Sequence, residues 1–321
     1  MEARPQHWKR SMNHTVRTIM LTSLPLLAGL AQADTGKLLL TGGVSSITGS
    51  AGGGITPWAV IGSNATEGEW GTTAFTTRAV TQDYALTSYG AALAWNERVE
   101  LSVARQDFDA GAAVALNGIA PFGVLPGQHI RMDVLGLKLR VVGDAVLDAD
   151  TWMPQVAVGL EHKRVRPGSL QSVFDFVGAD TQSTDFYVSA TKLVLDKGLL
   201  LSATLRSTRA NQNGLLGFGA AAPGRNSRSL QPEFSVAWLL RRDLAIGAEV
   251  RFQPDNLQAT GRAAGLGSAL REDAWKDIFI AWAPSKNLSF TLAWADLGRV
   301  VPGITNGRRQ SGAYFSAQVA F

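Results

Sequence analysis

The 321-residue sequence contains no cysteine. No disulfide can staple the chain, and no thiolate can hold a metal or do redox chemistry. Histidine is scarce as well: of four, His7 and His14 lie in the first 33 residues, which leaves His129 and His162. Two isolated imidazoles make a poor metal site, and there is no acidic loop of the calcium-binding kind. There is no Gly-x-Ser-x-Gly elbow. Gly52-Gly53-Gly54 lacks the Gly-Lys-Ser/Thr of a phosphate loop. No cofactor and no enzymatic activity are expected. Beyond residue 33, no run reaches the roughly 18 apolar residues of a membrane-crossing helix.

The first 33 residues read as a secretory leader. Arg4, Lys9, Arg10 and Arg17 precede an apolar run, Ile19–Leu30, that ends in Ala31-Gln32-Ala33. Basic start, short apolar stretch and small residues at the cut are the order of a cleaved signal, and Met12 is an alternative initiator. The leader holds four basic residues and one acidic, so its removal takes the formal charge from +4 to +1. A nucleic-acid partner loses its electrostatic argument.

Beyond the leader, a period of two recurs. Leu199, Leu201, Ala203 and Leu205 alternate with Leu200, Ser202, Thr204 and Arg206. Leu244, Ile246, Ala248 and Val250 alternate with Ala245, Gly247, Glu249 and Arg251. One face is apolar and the other small or polar, as on strands. Very short links near 96, 197, 242 and 285 alternate with long Gly/Ala/Pro/Asn/Arg-rich segments at 109–129, 164–183, 209–229, 253–273 and 299–310. Such sorting belongs to a transmembrane antiparallel up-and-down β-barrel, with short turns on the periplasmic side. Strands are expected near 71–80, 84–95, 98–108, 130–142, 152–163, 184–195, 199–208, 230–241, 244–252, 275–283, 287–298 and 311–321. That makes twelve, or fourteen if residues 36–62 add a hairpin. The expected organisation is a leader (1–33), a Gly-rich segment (34–67) and an outer-membrane barrel (68–321).

The last strand ends on Phe321, with Phe315 and Val319 on the same face, as in the signal read by the barrel assembly machinery. Trp95, Trp152, Trp282 and Phe321 fall near the short turns and are expected in the periplasmic aromatic girdle; Phe108, Phe252 and Trp275 would serve at the other end. Six glycines, Gly42, Gly43, Gly49, Gly52, Gly53 and Gly54, precede Trp58. This run lacks the side chains of a lipid-facing strand and could fold into the lumen as a plug.

Three stretches carry a resemblance: Leu38–Ile47, Gly52–Gly62 and Arg98–Asp109. They resemble a proteobacterial family of exported proteins known only as a domain of unknown function. The resemblance implies an outer-membrane location and carries over no site residues.

The alternation points Glu100, Lys138, Arg140, Glu161, Lys163, Arg206, Glu233, Glu249 and Arg251 into the lumen. They either line an aqueous pore or pair into a network filling a closed barrel. The leading expectation is a narrow, porin-like channel for small solutes, embedded in outer-membrane lipid. The alternatives are a non-conducting barrel that binds through its loops and, less favoured, a lipid-active enzyme in which His129 or His162 meets a serine and a carboxylate.

Overall fold

The computed structural model describes residues 37–118, 122–144 and 150–321, so the leader lies outside the described residues. Twelve strands form the wall. They are β3 (Trp70–Val80), β4 (Ala85–Trp95), β5 (Val99–Asp109), β6 (His129–Val142), β7 (Gln155–Arg166) and β8 (Gln182–Val194). β9 (Leu199–Thr208), β10 (Ser229–Arg241), β11 (Leu244–Arg251), β12 (Trp275–Ser285), β13 (Leu288–Arg299) and β14 (Arg309–Ala320) complete it. Each pairs antiparallel with its sequence neighbours, and β14 closes on β3. Closure leaves no edge strand with unpaired backbone. Phe321 extends the seam by exchanging both main-chain bonds with Thr72.

Alternation decides which way each side chain points. Leu101, Val103, Leu135, Leu201, Phe234, Ile280, Leu292 and Phe315 are exposed on the outer face, while Ser102, Ala104, Ser202, Ser235 and Thr291 are buried on the inner one. An apolar exterior over a small and polar interior is the reverse of a soluble barrel and fits a lipid surround. Tight turns set the register. Asn96 and Glu97 link β4 to β5 with φ of 53° and 50°, and Arg98 N donates to Trp95 O at 3.0 Å. Two successive left-handed residues match the right-handed twist of the strands they join.

The fourteen-strand alternative resolves differently. Two further strands exist, β1 (Val44–Ser45) and β2 (Ala51–Gly52), but they pair only with each other. Too short and too rich in glycine for the wall, they lie inside it.

Three placements depart from expectation. β7 begins at Gln155 and not at 152, because Pro154 and the turn before it do not pair; Trp152 sits in that connection, 83% exposed. Phe108 and Trp275 are not girdle residues but are buried at 4% and 2% exposure. Their register places them on the inner face with Gln106 and Asp277, and Phe108 stacks on Tyr84 at 5.1 Å.

Candidate functional site: the filled lumen

Residues 41–63 run through the barrel interior, nearly all buried. The segment has few side chains with which to pack, so its backbone amides and carbonyls must find partners on the wall. Four charged side chains supply several of them. Glu100 on β5 and Lys138 on β6 are register partners 3.1 Å apart. The Glu100 carboxylate accepts from Ala51 N at 3.0 Å and Gly62 N at 2.7 Å. Lys138 Nζ donates to Ala51 O at 2.8 Å and Val60 O at 2.9 Å. Both polar groups of Ala51 are thus held by one ion pair.

Glu249 and Arg251 on β11, which do not form an ion pair with each other, hold the segment on the facing wall. Glu249 accepts from Ile55 N at 2.9 Å, from the Thr56 hydroxyl, and from Ser235 Oγ at 2.8 Å. Arg251 donates to Ile55 O at 3.0 Å. Gly53 lets the carboxylate come this close, since a Cβ on it would lie 2.2 Å from Glu249 Oε1 and the side chain would have to move. Neutral wall groups finish the docking. Ser88 Oγ and Gln106 Nε2 donate to Ile47 O, Thr204 Oγ1 donates to Pro57 O, and Ala59 N donates to Thr191 Oγ1. Trp58, Ile47 and Ile55 are buried among inward aliphatic and aromatic residues. Cavities left between segment and wall measure only about 20 and 30 Å³.

A second charge network lies beside the first. Arg206 on β9 reaches Glu161 at 2.9 Å and Glu233 at 2.6 Å, with its guanidinium 5.0 Å from the centre of the Tyr187 ring. Lys163 bridges Glu161 at 3.1 Å and Asp185 at 2.9 Å, and Arg251 approaches Glu233 at 3.4 Å. Thr48 Oγ1 donates to Glu161, so this network also touches the segment. Arg140 stands nearer the short-turn end, with Glu97 at 3.6 Å and Asp144 at 3.0 Å. All nine charged residues placed in the lumen by alternation therefore face inward and are buried. Asp185 and Asp277, on the same faces, were overlooked although the same period marks them.

The loop-side end of the lumen is capped by residues sequence reasoning did not find. Asn211, Gln212 and Asn213 fold inward, the last two with φ of 45° and 60°. Asn213 accepts from Lys163 Nζ at 2.8 Å, and its amide donates to Gln253. Gln212 N donates to Glu272 at 3.0 Å, and Trp275 Nε1 donates to Gln212 Oε1 at 2.7 Å. Burial pushes the Glu272 carboxyl well above its usual range, and the neighbouring Asp255 adds to this; amides of Leu257 and Gln212 pull the other way. The protonated form is the one the fold prefers. Its contribution to stability is complete below the unfolded value of about 4.3 and is lost as pH rises through the raised value. The barrel is therefore expected to unfold at lower denaturant at pH 8 than at pH 5. In Glu272→Gln that difference should shrink, and an unchanged difference would discard the assignment.

The two remaining histidines lie on the outer face. His129 contacts Asp107, and His162 contacts Thr184 Oγ1 at 3.0 Å. Trp95 and Trp282 point outward at the turn end, beside Trp70 at 5.9 Å and Phe290 at 6.0 Å respectively. Phe315 and Val319 also point outward.

Among solved structures, the KdgM porin in complex with disordered oligogalacturonate is similar with a TM-score of 0.47 and 8% identity, covering 78% of this chain and 99% of that one. The COG4313 outer membrane channel from Pseudomonas putida F1 gives a TM-score of 0.44 and 11% identity, with 80% and 96% covered. Outer membrane phospholipase A from Escherichia coli gives 0.38 and 9%, with 77% and 92% covered. No curated protein matches the sequence. The family described as a protein of unknown function, DUF3034, matches residues 41–318, and the chain belongs to that family.

Proposed function

We propose that this chain is an outer-membrane channel for small solutes whose lumen is closed by its own residues 37–65. One observation carries the reading: Glu100, Lys138, Glu249 and Arg251 bond to the main chain of a separable glycine-rich segment. A barrel that only needs filling can do so with wall side chains. Here much of the filling is backbone, and moving it out would expose a wall lined with charges of both signs, as in a selective pore. Release would cost hydrogen bonds that water can replace, and no covalent link. In this reading the leader directs export and is cleaved. The apolar exterior faces lipid, and Phe315, Val319 and Phe321 form the signal for barrel assembly.

The Arg206 network favours a second reading, a non-conducting barrel stiffened from within, because its ion pairs run from wall strand to wall strand, tying β7, β8, β9 and β10 together, and meet the segment only at Thr48. Single-channel recording in planar bilayers separates the two. The mature chain is expected to be silent or rarely open, and a version lacking residues 34–66 to give steady steps. Silence from both, with each barrel shown to be folded by its heat-dependent gel mobility, would leave the second reading.

A further inference from the structure

The outer face is not uniform. On β4–β7 the outward positions change from apolar to charged toward the loop end. Register partners set the rows. Ala91, Val103, Leu135 and His162 form one; Tyr89, Arg105, Asp133 and Arg164 the next; Thr87, Asp107, Arg131 and Arg166 the third. On β10 and β11 the same ends carry Leu230, Pro232, Val250 and Phe252.

Two aspartates organise the patch. Asp133 holds Arg105 at 2.6 Å and Arg166 at 2.5 Å. Asp107 holds Arg131 at 3.1 Å and contacts His129. Arg164 makes no ion pair among the described residues. With Asp109 on the next outward row beside His129, four arginines face three carboxylates, and the Arg131 and Arg166 side chains remain 61% and 53% exposed. Directly below, Tyr89, Ala91, Val103 and Leu135 line a shallow groove of about 700 Å³ whose rim includes Arg105 and Arg164. The small Ala91 leaves this part of the wall low.

We propose that the outer face of β4–β7 binds a phosphorylated, multiply acylated lipid of the outer leaflet, its phosphates on Arg105, Arg131, Arg164 and Arg166 and an acyl chain in the groove over Ala91, Val103 and Leu135. Guanidinium forks match phosphate oxygens and prefer them when partly desolvated. A cation excess at a lipid interface calls for an anion, and the loop end lies in the outer leaflet when the short turns are periplasmic. The aspartates hold the guanidinia in place before the lipid arrives, which lowers the cost of ordering them. The proposal rests on the outer-membrane placement above but not on conduction.

The test is native mass spectrometry of the full mature chain in detergent, titrated with bisphosphorylated lipid A, its dephosphorylated form, or phosphatidylglycerol. The expected result is a one-to-one adduct with the first and binding at least roughly tenfold weaker with the other two. The Arg131→Gln/Arg164→Gln variant should weaken the adduct roughly tenfold, and Lys276→Gln on β12 should not. If the double variant fails to fold, Arg164→Gln alone, which breaks no ion pair among the described residues, serves in its place. Equal binding of the dephosphorylated lipid or of phosphatidylglycerol, or an unweakened adduct in the variants, overturns the proposal. A barrel that conducts yet binds no lipid A would overturn this inference alone. A barrel that binds it yet stays silent even without residues 34–66 would overturn only the channel.

Discussion

Replacing Arg206 with methionine is expected to cost the barrel about 3–5 kcal/mol, the usual penalty for stranding a buried charge. Arg206 is 1% exposed and the common partner of Glu161, Glu233 and Asp185. Without it, Lys163 and Arg251 alone face three carboxylates. Methionine fills a similar volume, so packing is nearly kept and the loss is electrostatic. The denaturant midpoint in detergent should fall accordingly. Removing one stranded carboxylate as well, in Arg206→Met/Glu233→Gln, should recover part of the loss, because the two effects share a partner. Strict additivity would show that the network is not coupled as its geometry indicates. A single variant within about 1 kcal/mol of the parent would show that water reaches these groups.

Glu100→Gln is expected to open the lumen more than any other single change. It strips the compensating charge from Lys138, and because Ala51 N and Gly62 N bond to different carboxylate oxygens, the new NH₂ faces one of them without an acceptor while the other keeps only a neutral one. Charge-assisted bonds contribute about 1.5–3 kcal/mol each. Losing one and weakening the other shifts the docked-to-undocked ratio by on the order of tenfold or more. In planar bilayers this variant should show frequent openings where the parent is quiet, and Glu67→Gln, at an exposed position, should behave as the parent. Gly53→Val approaches the same end sterically, since its Cβ would strike the Glu249 carboxylate. If Glu100→Gln loses stability yet stays silent, the segment is a structural filling and not a gate.

Most of the wall was legible from residues 71 to 321, because a lipid-facing strand must alternate and its apolar face cannot be mistaken for a soluble one. The same period points the nine lumen charges inward, and it holds equally for Asp185 on β8 and Asp277 on β12. Phe108 and Trp275 show the limit of reading by type. An aromatic at a strand end suits either a girdle or a lumen cap, and only the register decides. Asn211–Asn213 could not be found this way. A loop tip has no period, and its place is fixed by Gln253, Glu272 and Trp275, which lie 40, 60 and 63 positions away. The glycine run announced that residues 42–54 were no ordinary strand, but not which wall charges would hold them.

The segment in the lumen precedes the wall in the chain, and some of its partners arrive near the end. Ser45 N bonds to Gln318, 273 positions later, and Ile55 N to Glu249, 194 positions later. Such separation adds little to the equilibrium cost of closing the chain, which grows only with the logarithm of loop length. It imposes an order in time, because non-local contacts form after the elements they join. Glycine-rich and short of apolar side chains, residues 42–54 can wait in water without collapsing. Docking of the segment and closure of the β3–β14 seam are then successive steps of one assembly.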